Sequence, residues 1–171
     1  MIRVGPPAGV VAGLGLREER VMTDLFSAAT GAGSRPRAGA TVLVAGESCE
    51  GRFAIVETHE RHGFAEPCHI HSREDEFVYV LTGRILVQIG EAISRLGAGE
   101  CLLLPRGYEH AIVAESPEAR LLLITTPAGI EGYYRDLELA PADDAEGIER
   151  LITIAARYGL TITGPALNTP D

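Results

Sequence analysis

The feature that most restricts the fold is a train of short apolar runs between Thr41 and Thr126: TVLVAG, RFAIVET, EFVYVLTG, RILVQIG, ECLLLP, HAIVAE and ARLLLITT. Gly, Pro, Ser and Glu turns cut them apart. Runs of this length and composition read as strands, and their close spacing reads as a sandwich or small barrel. No connection between them is long enough for a crossover helix, which excludes a parallel, doubly wound sheet. The expectation is an all-β, antiparallel core over residues 39–127.

The flanks read differently. Residues 1–38 are rich in Gly, Pro and small side chains and are expected to form an arm, with a helical turn or two where Val21, Leu25 and Ala28 share a face. After Pro127 the period becomes helical, briefly over Ile130 to Leu137 and then along a stripe of Ile148, Leu151, Ile152, Ala155 and Tyr158. Asp143 and Asp144 stand where carboxylates cap a helix start, Gly159 stands at its end, and Glu146 and Arg150 have i,i+4 spacing. Residues 128–171 are therefore read as a helical extension packed on the barrel, with Gly164 to Asp171 expected to fray.

Composition narrows the function. A chain of 171 residues fits one domain, and 46% apolar with 23% charged residues is a globular average. A formal net charge of −9 works against nucleic acid as a partner. Gly9 to Leu16 is too short to span a bilayer, so no membrane association is expected and the protein is read as soluble and cytoplasmic. Cys49, Cys68 and Cys101 are odd in number and lack C-x-x-C spacing, which reads as small buried hydrophobes. A homodimer is expected, because sandwiches of this size often cover edge strands with a partner.

Chemistry concentrates in four residues. His69 and His71, one residue apart, put both imidazoles on one face of a strand. Glu76 follows the polar stretch Ser72 to Asp75, and its odd spacing from His71 requires a turn if the three are to converge. His110 opens the run HAIVA just after the turn Pro105-Arg106-Gly107. Three imidazoles and a carboxylate would suit one divalent transition metal ion, Fe, Ni, Mn, Co, Cu or Zn, and would serve Ca poorly. His59 and His62 are read as binding nothing, Glu74 and Asp75 as solvated charges in a turn. Val78, Val80, Ile112 and Ala114 are expected on the interior face, as a wall for an aromatic or apolar small-molecule substrate.

These residues carry a family resemblance. Gly63, His69, His71, Glu76 and Gly83 match the first cupin motif, G-x5-H-x-H-x4-E-x6-G, at every specified position. Gly99, Pro105, Gly107 and His110 match the second, G-x5-P-x-G-x2-H-x3-N, in which Ala114 replaces the final Asn. The sequence thus resembles a single-domain bacterial cupin, which implies a double-stranded β-helix, or jelly-roll barrel, with a few flanking helices. Thr125 to Tyr134 and Ala155 to Leu160 look like the tail of proteins similar to quercetin 2,3-dioxygenases. That likeness implies a metal-dependent dioxygenase of a phenolic or enolic, flavonol-like molecule, with His69, His71, Glu76 and His110 on the metal and Glu76 also as catalytic base. A non-redox isomerase or polyketide-type cyclase, or a non-catalytic small-molecule binder, would use the same scaffold.

Overall fold

The computed structural model describes residues 39–62, 66–138 and 145–166. The expected arm, Gly63, the capping Asp143 and Asp144 and residues 167–171 lie outside them, as do the side chains of Glu146 and Ile148.

Ten strands are described: β1 (Ala40–Val44), β2 (Ala54–Arg61), β3 (Pro67–His71), β4 (Asp75–Thr82), β5 (Arg84–Ile89), β6 (Ala92–Gly97), β7 (Cys101–Leu104), β8 (His110–Ala114), β9 (Glu118–Thr126) and β10 (Leu160–Ala166). Two helices, α1 (Glu131–Glu138) and α2 (Ala145–Arg157), lie between β9 and β10. The strands form two five-stranded sheets, in the orders β1-β2-β9-β4-β7 and β10-β3-β8-β5-β6, and every pairing is antiparallel. This is the jelly-roll sandwich that the motifs imply.

Alternation builds the core. In β4 the buried residues are Glu76, Val78 and Val80, and in β9 they are Ala119, Leu121, Leu123 and Thr125. Their apolar members meet Ile85, Val87 and Ile112 of the facing sheet. Each fully buried Val, Leu or Ile contributes about 1.5–3 kcal/mol of transfer free energy, so this interleaving is the main force holding the sheets together. The polar ends of the same rows, Glu76 and Thr125, are partners in the β4–β9 register. One end of the sandwich is therefore dry and the other is chemical.

The tail differs from its expected form. Leu160–Ala166 is a strand that pairs with β3, Leu160 opposite His71 and Ile162 opposite His69, so residues 164–166 are not frayed. Ser72 fixes the junction, because its N–H and its hydroxyl both donate to the Gly159 carbonyl, at 2.9 and 2.8 Å. β6 was likewise not anticipated. The apolar stripe of α2 holds at Ala155, which packs with Ile130, Leu160 and Tyr158 in a second cluster, whereas Ile152 is 46% exposed. Glu131 anchors α1: its two carboxylate oxygens accept the Gly46 N–H at 2.8 Å and the Gly129 N–H at 2.7 Å. Of the cysteines, Cys49 is buried but Cys101 is exposed, which corrects the expectation of three buried thiols. Among the described residues no helix is long and apolar enough to cross a membrane.

Candidate metal centre and its cavity

His69, His71, Glu76 and His110 meet at the polar end of the sandwich, with one candidate ligand atom from each lying within 4.8 Å of the others. Two sheets supply them. His69 on β3 and His110 on β8 are directly opposed in register, His71 lies two residues further along β3, and Glu76 faces them from β4. The chain turns at Ser72 to Glu74 to change sheets, so the odd spacing between His71 and Glu76 is no obstacle. The imidazole centroids are 4.5 to 5.2 Å apart.

Backbone carbonyls select the tautomers. His69 Nδ1 donates to the Pro67 carbonyl at 2.8 Å and His110 Nδ1 to the Tyr108 carbonyl at 3.0 Å. A carbonyl can only accept, so each Nε2 is left with its lone pair. His110 is 1% exposed, and its Nε2, 3.5 Å from Glu76 Oε2, is buried without a hydrogen-bond partner. Leaving such an atom unsatisfied costs about 1–3 kcal/mol, and a bound cation removes the deficit. The residues fit a metal ion: Nε2 of His69, His71 and His110 and a Glu76 oxygen would hold it.

The electrostatics of the metal-free cluster leave His69 and Glu76 ready to coordinate, whereas His71 holds a proton that a bound ion would displace. Burial and the neighbouring His110 push the His69 imidazole down to about 4, which keeps it neutral. Burial also pulls on His71, but the carboxylates of Glu74 and Glu76 outweigh it and lift that imidazole to about 9. Burial would raise Glu76, yet His110 and His71 hold it well below the ordinary carboxylate range. The carboxylate is ionised and available as a ligand.

Glu74 is the residue whose role sequence reasoning missed. Instead of being solvated it is 2% exposed, with Oε2 3.7 Å from His71 Nδ1, and neither atom has a hydrogen-bond partner. A carboxylate behind a metal-binding imidazole orients the ring and raises its basicity. Glu74→Gln is expected to weaken metal affinity about 10- to 100-fold with the four ligands intact, as read by competition with a chelator. Unchanged affinity would leave Glu74 a buried acid without that role. Asp75 does point outward: Arg106 donates to both its carboxylate oxygens and holds its carboxyl down at about 2.

A cavity of about 440 Å³ opens over His69, His71 and Glu76. Its apolar walls come from the C-terminal extension and β10: Ile130, Tyr133, Tyr134, Leu137, Leu151, Leu160 and Ile162 line it, with Ile152. The expected wall is different. Val78, Val80, Ile112 and Ala114 are packed against each other in the dry core and do not reach the cavity. Tyr108 is 61% exposed and does not line it either. Three unanticipated polar residues do: Thr58 and Glu60 on β2, and Glu66 just before β3. Alternation alone points to the first two, since they continue the inward row of Ala54 and Val56. His59 lies on the outer face of β2, 2.8 Å from Glu57, and His62 is exposed.

Residues 55–126 match the sequence model of the Cupin domain family. That stretch contains all four clustered residues, and the chain carries a cupin domain. Solved structures similar to it include KdgF from Halomonas sp., 22% identical over 52% of this chain and 79% of that one with a TM-score of 0.47. The TT1209 protein from Thermus thermophilus is 31% identical over 45% of this chain and 74% of that one, TM-score 0.43. A cupin superfamily protein from Desulfitobacterium hafniense DCB-2 is 20% identical over 44% and 67%, TM-score 0.41. None of the curated proteins matches the sequence.

Proposed function

We propose that the protein is a metal-dependent dioxygenase acting on a phenolic or enolic small molecule with a largely apolar, flavonol-like body. The observation that carries this reading is that the four-residue cluster opens, through His69, His71 and Glu76, onto a largely apolar cavity of about 440 Å³. A closed structural metal site has no such room beside it, and a volume in this range takes a drug-sized ligand. A redox-active divalent ion held there would supply ligation of a phenolate or enolate and electron exchange with O₂. The rest belongs to the chain. The rings of Tyr133 and Tyr134 and the side chains of Ile130, Leu137 and Leu160 hold the apolar body and exclude water. In this reading Glu76, ionised, takes the phenolic proton.

One observation favours a second reading, a non-redox isomerase or cyclase. Burial pushes the Glu60 carboxyl up to about 7 and that of Glu66 up to about 8, the latter helped by the charges of Glu76 and Glu60. Acids of that strength in a cavity suit proton transfer at neutral pH. The experiment is an oxygen electrode trace on protein purified without a nickel column, with its metal determined by elemental analysis, on adding quercetin or a catechol. Oxygen consumption in step with substrate loss is expected. Substrate turnover that proceeds unchanged without air would overturn the dioxygenase reading in favour of the second.

A further inference from the structure

Apart from the cluster imidazoles His69 and His71, the ionisable carboxyl-bearing and basic residues lining the cavity are all of one kind. They are Glu60, Glu66 and Glu76, with no arginine or lysine among the lining residues. Glu76 belongs to the ligand cluster, which leaves two carboxyls to be explained. Among the described residues neither the Glu60 nor the Glu66 carboxyl is paired with a cationic side chain or a backbone N–H, although Glu60 is 6% exposed. Thr58, two residues before Glu60 and on the same inward face, is 2% exposed, and its Oγ1 also lacks a partner. Buried polar groups are nearly always satisfied, so the buried Glu60 carboxyl and Thr58 Oγ1, facing an open cavity beside Glu66, mark a complement that the chain itself does not provide.

The neighbouring rings give the sign of that complement. Tyr133 and Tyr134 meet edge to face with centroids 5.6 Å apart on the cavity wall. Both rings line the same cavity as Glu60, Glu66 and Glu76. Carboxylates beside aromatic faces form a site that attracts a cation from two directions, by ion pairing and through the ring quadrupole. A cation brought there offsets the burial that holds both carboxyls protonated, whereas an anion offers them no opposite charge. We propose that this cavity selects amine-bearing substrates, with the ammonium group held by the Glu60 and Glu66 carboxylates and the Tyr133 and Tyr134 rings, and with Thr58 Oγ1 accepting one of its N–H groups. The inference rests on the cavity being the substrate site, and it narrows the substrate to a phenol or enol carrying a basic nitrogen on its apolar body.

Three catechols that share one ring test it: 4-(2-aminoethyl)catechol, neutral 4-ethylcatechol, and 3-(3,4-dihydroxyphenyl)propionate. Binding of each to the protein as purified is measured calorimetrically at pH 7, and oxygen uptake is recorded with each. The ammonium probe is expected to bind at least about tenfold more tightly than the neutral one, with the carboxylate probe weakest. Glu60→Gln is expected to reduce the ammonium-to-neutral ratio by at least about fivefold. Equal affinities, a preference for the carboxylate, or no binding of any of the three would overturn the inference, and the comparison on the unaltered protein stands even if the variant fails to fold. The two readings fail separately. Tight ammonium binding without oxygen uptake sinks the dioxygenase alone, whereas equal oxygen uptake and affinity across the three probes sinks the charge selection alone.

Discussion

His110→Ala is expected to leave the protein without stoichiometric metal while the sandwich stays folded. The imidazole is 1% exposed at the start of β8, with Nδ1 committed to the Tyr108 carbonyl and Nε2 aimed at the other ligands. Deleting it removes one of the four candidate ligands, so the loss of affinity should exceed the roughly 10- to 100-fold that follows loss of a partner behind a ligand. Folding should be spared, because the deleted group is itself an unsatisfied buried polar atom in the metal-free protein. The void left by the ring and the removal of that atom act in opposite directions, the latter by about 1–3 kcal/mol. Elemental analysis and paired thermal melts check both parts. Added metal should raise the melting temperature of the unaltered protein and leave that of the variant unmoved, since only a state that binds the ion is stabilised by it. His69→Ala should behave in the same way. Unchanged metal content in both variants would remove them from the ligand set.

Some of this site could be read from the chain and some could not, for physical reasons. The i,i+2 spacing of His69 and His71 fixes a shared face without any tertiary knowledge, and the alternation of Glu76, Val78 and Val80 fixes the inward row of β4. β6 escaped because its sequence, AISRLG, has one buried residue, Leu96, and so shows no inward row. β10 escaped because Gly164 and Pro165 interrupt it. Proline lacks the N–H that a central strand needs, but β10 lies at the edge of its sheet, where a missing donor is tolerated. The substrate wall was misplaced because alternation reports which face is inward and not whether the inward space is filled. Val78 and Ile112 meet across the two sheets in the dry core, whereas Thr58 and Glu60 continue the β2 row to the end covered by α1, α2 and β10. The burial of Glu74 depends on His71 beside it and on Gly129 behind it, neither of which its polar neighbours in sequence foretell.

The two motif glycines Gly83 and Gly107 look equivalent as turn formers, yet they should respond very differently to alanine. Both have positive φ, +84° and +80°. For an alanine that conformation alone costs about 1–2 kcal/mol. At Gly107 nothing lies within 4 Å of an added Cβ, so the backbone cost is the whole effect. At Gly83 the Cβ would run into the Glu118 carbonyl, and would sit 2.6 Å from Ser116 Oγ and 2.8 Å from Ala119 Cα. That hydroxyl accepts the Arg84 N–H at 2.8 Å and donates to the Glu118 carbonyl at 2.6 Å, so it ties the β4–β5 turn to the start of β9. Two of the three obstacles are backbone and cannot swing aside. Displacing them adds an overpacking cost of about 1–3 kcal/mol. Gly83→Ala should therefore lower stability by about 2–5 kcal/mol and Gly107→Ala by about 1–2 kcal/mol, as measured from urea midpoints. The comparison separates backbone conformation from steric closure at two positions of one sequence signature. Equal losses at the two sites would mean that the β4–β5 turn yields to the extra methyl, and that the glycine there is required only for its φ.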